Sequence, residues 1–303
     1  MGRTAVAILR AERPAAACRP AWHDGTVTTQ EARYDRIAAG YVRWWAPVLV
    51  PWATALLDWL EPAVAGGARR LIDIGTGSGT LGLAAVRRWP NVEVVGVDAS
   101  SGMAAIADAE GDRLLAPADR GRYATRVAFA DELPFTDGTF DAAMSSFVFQ
   151  LVANRARAIR EARRVLRPGG RLAYVTWLSD PGRVFRPDVE FDEALDDVGI
   201  DPGDDEGDGQ GPGDIESVEA AVAQLRRGGF REVRGEPALL EHPFDVEGYI
   251  GFMVEFDQED LIAGLEADER RRLLDRLRAR LEALPPDDLV LRLPIVSVSG
   301  VRG

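Results

Sequence analysis

The chain has 303 residues, of which 46% are hydrophobic and 28% charged, so it can bury a full core as one large domain. Its single cysteine, Cys18, and its two histidines exclude an internal disulfide and disfavour a thiolate or histidine-rich metal site. No apolar stretch approaches the roughly 18 residues that a membrane span requires, and the apolar run 5–9 is shorter than the core of a secretory signal. We therefore expect a soluble, cytoplasmic protein with no metal site and no membrane span.

The acidity of the chain is concentrated in one segment. The formal net charge is −13, and residues 188–216 alone contain 13 carboxylates and no basic residue, so the rest of the chain is balanced. Within this segment, residues 201–214 are rich in Gly, Asp and Pro, which predicts an acidic loop between two helices. A calcium site is the alternative, but the spacing of Asp, Gly and Glu does not fit an EF-hand.

The basic residues show no sign of a nucleic-acid partner. All 36 are arginines, and the Arg pairs are scattered along the chain without forming a basic stripe. Binding to nucleic-acid phosphates would require clustered cations. We therefore expect a small-molecule partner.

The chain begins with a segment that we exclude from the fold. Residues 1–26 are rich in Ala, Arg and Pro without sustained periodicity, which predicts a disordered or poorly ordered tail. From residue 30 to residue 60, apolar and aromatic residues recur at helical spacing, and Pro47 and Pro51 predict a break between two helices. We expect one domain over residues 27–303.

Strands and helices then alternate along the chain. Strands are predicted at 70–74, 93–97, 126–130, 140–145, 171–177, 230–234 and 289–298, and helices at 81–89, 101–109, 155–166 and 215–227. This alternation predicts an α/β fold with a doubly wound, mostly parallel, seven-stranded sheet. The ligand-binding core would span about 68–180, and a helical insertion at about 244–285 precedes the last strand. The insertion and the N-terminal helices are placed to roof the crevice at the carboxyl ends of the strands, where they would select the substrate.

A glycine-rich turn follows the first strand. The sequence Asp73-Ile74-Gly75-Thr76-Gly77-Ser78-Gly79 places three glycines at alternate positions, where the chain must turn sharply and let a ligand approach the backbone. Gly77, Gly79 and Gly82 also satisfy the G-x-G-x-x-G dinucleotide fingerprint. The glycines by themselves therefore leave a nicotinamide cofactor and an adenosyl cofactor open.

Asp73 separates these two interpretations. A carboxylate two residues before the first glycine would repel a pyrophosphate, whereas S-adenosylmethionine has no phosphate and carries ammonium and sulfonium cations. Asp73 can therefore stabilise the amino-acid end of that cofactor, with a local turn cap as its alternative role. Two further acids end apolar strands: Asp98 is placed to accept both ribose hydroxyls, and Asp131 to accept from an adenine amino group.

These positions, taken together, resemble a known family. The succession of Asp73 with its glycines, Asp98, Asp131, Phe140-Asp141 and Arg167-Pro168-Gly169-Gly170 resembles the class I S-adenosylmethionine-dependent methyltransferases. More narrowly, Tyr34-Asp35-Arg36-Ile37-Ala38, the stretch 164–172 and Gly229-Phe230 resemble the small-molecule branch that includes the ubiquinone and menaquinone biosynthesis methyltransferases. The resemblance covers residues 30 to about 235 in order.

The resemblance implies a role for each matching position. Asp73, Gly75, Gly77 and Gly79 would hold the methionine end of S-adenosylmethionine, Asp98 the ribose and Asp131 the adenine. Met103 would pack against the adenine ring, with ordinary helix core as its alternative role. The predicted cofactor site also includes Thr76, Ala99, Ala130, Glu132, Ser146 and Tyr34. Ser145 and Ser146 would line the pocket after the fourth strand, while Tyr34 and Tyr41 would close its N-terminal side.

Absent motifs narrow the methyl acceptor. No Asn-Pro-Pro-Tyr follows the fourth strand, the cysteine lies in the tail and the chain has no lysine. These absences argue against methylation of base amines, of cytosine C5 and of ribose by a Lys-Asp-Lys-Glu tetrad. We therefore predict a methyltransferase with a small-molecule acceptor, whose O, C or N acceptor atom is open. An NAD(P)-dependent oxidoreductase and a non-catalytic cofactor-binding protein are the alternatives.

Catalysis does not require a dedicated base, because the sulfonium already activates the methyl carbon and positioning supplies much of the rate. The candidates for a base on the expected roof are His242, Tyr41, Glu255 and Asp257, and no motif supports any of them. Trp44, Trp45, Trp52 and Trp59 recur at helical spacing. We expect one or two of them to face the pocket as an aromatic wall and the others to belong to the core.

Overall fold

The computed structural model describes residues 30–201 and 213–303. The predicted tail 1–26, with Cys18, and most of the predicted acidic loop 201–214 lie outside the described residues. The elements in chain order are α1 Gln30–Gly40, a π-helical turn Tyr41–Trp45, α2 Ala46–Ala65, β1 Arg70–Ile74, α3 Thr80–Arg88, β2 Glu93–Asp98, α4 Ser101–Leu114, α5 Pro117–Arg120, β3 Tyr123–Val127, β4 Phe140–Ser146, α6 Arg155–Val165, β5 Leu166–Trp177, α7 Arg186–Val198, α8 Val218–Arg227, β6 Phe230–Pro243, α9 Val246–Phe252, a second π-helical turn Met253–Asp257, α10 Glu259–Gly264, α11 Ala267–Leu281, a 3₁₀ turn Pro286–Leu289 and β7 Val290–Arg302.

Among the described residues, seven strands form one sheet in the order β3-β2-β1-β4-β5-β7-β6. The strands from β3 to β5 are parallel to one another, and β7 runs antiparallel to both β5 and β6. The predicted doubly wound, mostly parallel fold is confirmed. Because the strand order changes direction between β1 and β4, a crevice opens at the carboxyl ends of these two strands.

The two faces of the sheet pack against different helices, because side chains alternate along each strand. In β1, Leu71 belongs to a core shared with α2, α3 and α4, whereas Ile72 belongs to a core shared with α6 and α8. Both side chains are fully buried. β1 is therefore covered on both faces, and Asp73 is buried in it beside these apolar residues.

Two strand predictions were wrong at their ends, each for a local reason. β3 is Tyr123–Val127 instead of 126–130, because the chain turns after it and the Glu132 amide donates to the Phe129 carbonyl. β6 is much longer than the predicted 230–234. A bulge follows Arg231, where Glu232 has a φ of 49°, and the strand then continues through Gly235 and Pro237, residue types that weaken a strand pattern in the sequence.

The helix predicted from residue 215 begins three residues later, at Val218. Ser217 is its N-cap, since its Oγ accepts from the Ala220 amide at 3.1 Å. Ile215 instead forms an isolated bridge beside Leu178. β5 likewise begins earlier than predicted, at Leu166, and β7 extends to Arg302.

The break predicted at Pro47 and Pro51 was wrong. Pro47 stands in the first turn of α2, where a proline is tolerated because its missing amide proton has no partner there. Pro51 lies inside α2, and the helix continues through it. The π-helical turn Tyr41–Trp45 joins α2 to α1 directly before Pro47.

The helical run Ala32–Ala65 is long and apolar enough to cross a membrane by length and composition alone. The core helix of a soluble protein passes the same criterion. In this fold Leu56 and Leu60 are fully buried and pack on the sheet with the β1 and β5 side chains. One face of α2 therefore belongs to the core of the domain, while 33% of the apolar window is buried in all.

A two-stranded ribbon carries the helical insertion above the crevice. Trp177, the last residue of β5, pairs with Ile295, whereas β6 and β7 remain paired as far as Pro243 and Val290. α9, α10 and α11 connect the two ends of this ribbon. α7 also belongs to this layer, because its apolar side chains share a core with those of α9 and α11. The predicted roof consisted of the insertion and the N-terminal helices, and in the structure α7 is also part of it.

The N-terminal helices meet the insertion where the two π-helical turns face each other. Gly40 lies so close that an added Cβ would be 1.7 Å from the Glu255 carbonyl oxygen. Trp44 Nε1 donates to Glu255 Oε2 at 2.9 Å, and Arg43 pairs with the other oxygen of that carboxylate at 3.2 Å. The N-terminal helices and the insertion therefore meet at a close approach of their backbones, which requires a glycine at position 40.

We expect Gly40→Ala to destabilise the protein by about 2 kcal/mol, because overpacking outweighs the gain of about 1 kcal/mol in helix propensity. Gly121→Ala is the matched control, since an added Cβ there has no atom within 4 Å and φ is −66°. Urea unfolding midpoints of the two variants and the wild type measure the difference. Equal midpoints for the two variants would show that the close approach does not constrain the fold.

Candidate active site

The glycine-rich turn lies where β1 ends, at the crevice. Gly75, Gly77 and Gly79 all have positive φ, at 71°, 53° and 86°. At Gly75 an added Cβ would be 2.2 Å from a methyl group of Val148, so the position also requires glycine for space. The amides of Gly75 and Thr76 both donate to the Val97 carbonyl at 2.8 Å, which ties the turn to β2.

Asp73 is buried directly behind this turn, with 1% of its surface exposed. Its Oδ2 accepts from Thr76 Oγ1 at 2.8 Å and from the Gly82 amide at 3.0 Å. Burial raises the pKa of Asp73 to about 7, against the opposing effect of these two hydrogen bonds. Asp73 thus caps the turn and also lines the pocket beside it.

The position of Asp73 disfavours a dinucleotide. Gly82, the third glycine of the dinucleotide spacing, donates its amide to Asp73. An added Cβ on Gly82 would be 2.7 Å from the Tyr123 ring, so this glycine permits close packing of α3 on the sheet. The Asp73 carboxylate therefore takes an amide in the first turn of α3 that a pyrophosphate would need free.

Asp98 ends β2 next to the glycine turn. Its Oδ2 accepts from the Gly77 amide at 2.8 Å, and its Oδ1 accepts from the Ser100 amide at 3.0 Å. Burial raises the pKa of Asp98, and these amides act in the opposite direction. The ends of β1 and β2 are therefore held together by a carboxylate that keeps further lone pairs for a ligand.

A small pocket lies between the glycine turn and α2. Its lining combines the turn with N-terminal residues: Tyr41, Ala46, Leu49, Ala53, Asp73, Gly75, Thr76, Ser78, Thr80, Leu81 and Ser146. Tyr41 covers it from the N-terminal side, and its ring meets that of Tyr34 edge-on at 5.8 Å. Burial, with Tyr34, Asp98 and Asp73 nearby, raises the pKa of Tyr41, so the phenol is protonated at neutral pH and serves as a donor.

The third predicted acidic position lies at the turn after β3. Ala130, Asp131 and Glu132 belong to this turn, and Asp131 is half-buried. The Glu132 side chain is 79% exposed and approaches Arg157 at 3.6 Å, so it is a solvated residue. Ala99 lies in the loop after Asp98, and Met103 is buried in the first turn of α4.

The end of β4 contains a strained residue that the sequence did not reveal. Ser146 lines the pocket, whereas Ser145 is turned into the sheet and donates to the Ile74 carbonyl at 2.7 Å. Phe147 follows with a φ of 55°, which is costly for a bulky residue. Its amide donates to the Val175 carbonyl, and its ring contacts Trp177 at 4.2 Å between centroids.

An aromatic cluster connects this strained residue to the roof. Trp45 lies at its centre, 6.2 Å from Trp177, 5.3 Å from Phe252 and 6.0 Å from Phe256. Tyr41, which covers the pocket, lies 5.8 Å from Phe256. The cluster is therefore continuous with the pocket and lies over the carboxyl ends of β4 and β5.

Of the four predicted tryptophans, Trp45 is the one in this cluster. Trp44 donates to Glu255 and packs against the core of the roof, and Trp52 packs against the core between α2 and the sheet. Trp59 lies under Arg234, whose guanidinium carbon is 4.3 Å from the ring centroid. Helical spacing predicted all four rings to be on related faces, and only tertiary packing distinguishes them.

The candidate bases lie in different places. His242 is near the end of β6, its ring is 4.7 Å from that of Phe244, and burial lowers its pKa. Glu255 accepts from Arg43 and Trp44, and Asp257 ends the second π-helical turn. Among the described residues that line the pocket, Tyr41 is the one candidate base, and its raised pKa makes it a donor.

Asp35 is a site residue that the predicted set omitted, although it stands in the motif 34–38. From α1, its Oδ1 accepts from Ser100 Oγ at 2.5 Å and from the Gly102 amide at 2.7 Å. It therefore joins the N-terminal helix to the loop that follows Asp98. In the sequence, only its place beside Tyr34 in this motif points to Asp35, and the motif does not show that it contacts Ser100.

Comparison with known proteins agrees with this geometry. Residues 72–174 match the family described as Methyltransferase domain. The ubiquinone/menaquinone biosynthesis C-methyltransferase UbiE of Geobacter sulfurreducens is 34% identical over 135 residues, which is 44% of this chain and 49% of that protein. The malonyl-[acyl-carrier protein] O-methyltransferase of the same organism is 35% identical over 159 residues, covering 52% of this chain and 51% of that protein. The chain spans about half the length of the curated relatives it matches.

The fold is also similar to solved structures. The YcgJ protein of Bacillus subtilis aligns with 82% of this chain and 97% of its own length, with a TM-score of 0.51 and 22% identity. The matching domain includes β1, the glycine turn, Asp98 and β4, the elements that build the pocket. Residues 72–174 thus match a methyltransferase domain, and this part of the chain resembles the class I S-adenosylmethionine-dependent methyltransferases, among them the ubiquinone/menaquinone biosynthesis C-methyltransferases.

Proposed function

We propose that the protein transfers a methyl group from S-adenosylmethionine to a small-molecule acceptor bound under the roof. The observation that carries this proposal is the pair of carboxylates, Asp73 and Asp98, held in one glycine turn by backbone amides. Such a site attracts a cation and repels a phosphate. Asp73 also disfavours the oxidoreductase alternative, because its carboxylate takes the Gly82 amide at the start of α3, whereas an acid at the position of Asp98 is compatible with both cofactors.

The residues present fit an adenosyl cofactor. Asp73 and the pocket beside Ser146 would hold its cationic amino-acid end, and Asp98 would accept from the ribose hydroxyls. Asp131, one strand further along the sheet edge, would accept from the adenine amino group. When bound, S-adenosylmethionine supplies a methyl carbon activated by the sulfonium. Tyr41 and the aromatic cluster then exclude water from the crevice.

For the acceptor we propose an apolar molecule that carries a ring. Trp45, Phe147 and Trp177 form an aromatic surface at the ends of β4 and β5, beside the pocket. Aromatic surfaces favour offset or edge-on contacts with planar ligands. The name of the UbiE relatives, which refers to ubiquinone and menaquinone biosynthesis, supports this class of acceptor. A dedicated base is not part of the proposal, because positioning can supply the catalysis.

The extent and location of the protein are also proposals. We propose one domain over residues 27–303, with the core at about 68–180 and a lid at about 244–285. The contacts that α1 makes with the insertion support a single unit. A cytoplasmic location is consistent with the packing of one face of α2 in the core of the domain.

The first test is stabilisation by ligands. S-adenosylmethionine and its demethylated product S-adenosylhomocysteine should each raise the melting temperature, because a ligand at about 100 times its Kd adds about 3 kcal/mol of stability. NAD should add none. Differential scanning fluorimetry with the three compounds makes the comparison. Stabilisation by NAD alone would contradict the proposed function.

A second test uses the titration of Asp73. Its folded pKa of about 7 lies above the ordinary 3.8, so its contribution to the stability of the free protein is present below about pH 4 and lost as pH rises through 7. A bound ammonium favours the charged carboxylate, so affinity for S-adenosylhomocysteine should increase more than about tenfold between pH 5.5 and 7.5.

Asp73→Asn is the control for this titration, since asparagine has no proton to lose in this range. Its affinity should be lower and nearly independent of pH, and its stability should fall less between pH 5 and 8 than that of the wild type. Calorimetric titration at several pH values measures both proteins. The same slope in the variant and the wild type would assign the pH dependence to another group.

A third test concerns the aromatic surface. Trp45→Ala should lower kcat/KM about tenfold with a panel of phenols and hydroquinones as acceptors, because one aromatic contact contributes about 1 kcal/mol beyond the area it buries. Affinity for S-adenosylhomocysteine should be unchanged. Trp59→Ala, which removes a ring under Arg234, is the matched control. Equal losses in both variants would place Trp45 in the core instead of the acceptor site.

A further inference from the structure

A chain of hydrogen bonds runs from the N-terminal helix to the glycine turn. Asp35 accepts from Ser100 Oγ at 2.5 Å, the Ser100 amide donates to Asp98 at 3.0 Å, and Asp98 accepts from the Gly77 amide at 2.8 Å. The Gly102 amide donates to the same oxygen of Asp35 at 2.7 Å. Three separate elements, α1, the loop after β2 and the glycine turn, are thereby held in one arrangement.

Ser100 is the centre of this chain. Its side chain is 1% exposed, and its Oγ accepts from the Met103 amide at 3.0 Å while donating its proton to Asp35. With Asp35 removed, this buried hydroxyl would lose the acceptor for its proton, which costs more than an exposed hydrogen bond. The loop would then relax at the residue whose amide orients Asp98.

The helix that carries Asp35 also covers the pocket. Tyr34 precedes it, and Tyr41 closes the pocket two turns later. Gly102 permits the approach, because an added Cβ would be 3.0 Å from Asp35 Oδ1. The contact between α1 and α4 is therefore close, and it lies between the cover of the pocket and the carboxylate assigned to the ribose.

We propose that Asp35 is a positioning residue for the cofactor site: through Ser100 it orients Asp98 toward the ribose. This inference rests on the proposed function. It assigns Asp35 no contact with the cofactor itself.

The negative charge of Asp35 disfavours the ionised form of Asp98. Burial is the largest cause of the raised pKa of Asp98, and the amide hydrogen bonds lower this pKa. The nearby carboxylate of Asp35 raises it further. A benefit from Asp35 must therefore come from the geometry that its oxygen imposes. Asparagine keeps an acceptor oxygen at that place and removes the charge, so Asp35→Asn should retain the function of the residue.

The experiment is a double-mutant cycle read by calorimetric titration with S-adenosylhomocysteine. Asp35→Ala should raise Kd about tenfold, the equivalent of one charge-assisted hydrogen bond. Asp35→Asn should stay within about threefold of the wild type. In the Asp98→Ala background, Asp35→Ala should have no further effect, because the two residues act through one contact.

Arg36→Ala is the matched control. Arg36 lies next to Asp35 on the same helix and pairs with Glu259 at 3.0 Å, so its loss loosens α1 on the roof without touching Ser100. Its Kd for S-adenosylhomocysteine should equal that of the wild type. Melting temperatures of all variants show whether each is folded.

Three outcomes would overturn the proposal: an unchanged Kd in Asp35→Ala, an equal loss when Asp98 is already alanine, or the same loss in Arg36→Ala. If the wild type does not bind S-adenosylhomocysteine, the proposed function and this inference both fail. If the wild type binds and Asp35→Ala binds equally well, only the inference fails. Rescue by asparagine distinguishes the geometric role from a purely electrostatic one.

Discussion

The burial of one carboxylate, that of Asp73, constrains everything around it. An acid in the interior must find donors, and Asp73 finds them in the hydroxyl of Thr76 and the amide of Gly82. The amide is available only because α3 packs close to β1, which in turn requires glycine beside Tyr123. The turn, the start of the helix and the negative field of the pocket are therefore consequences of a single buried charge.

The sequence was sufficient for features that depend on neighbouring residues. Strands covered on both faces are apolar runs, so β1, β2 and β4 were recognisable, and the glycines between β1 and α3 predict the turn. Asp73 and Asp98 stand at strand ends, and parallel strands bring their carboxyl ends to one edge. This is why the meeting of Asp73, Asp98 and the glycine turn at one edge of the sheet was predictable from sequence.

Features that depend on distant contacts were not predictable. Nothing near Asp35 indicates that it meets Ser100, and nothing near Phe147 predicts its positive φ, which is maintained by Val175 and Trp177. The length of β6 was missed because Gly235 and Pro237 weaken the strand pattern locally, whereas the distant strand β7 pairs with both residues. α7 joins the roof through a core built with residues some eighty positions later in the chain.

The paired strands β6 and β7 restrict how the roof over the crevice can move. Its ladder is continuous from the sheet to Pro243 and Val290, so the insertion cannot swing away without breaking a series of backbone hydrogen bonds. The N-terminal helix packs against this insertion through Arg36, the buried Ile37 and the close approach of Gly40 to Glu255. The paired strands therefore make the insertion side of the crevice a fixed template for whatever binds there.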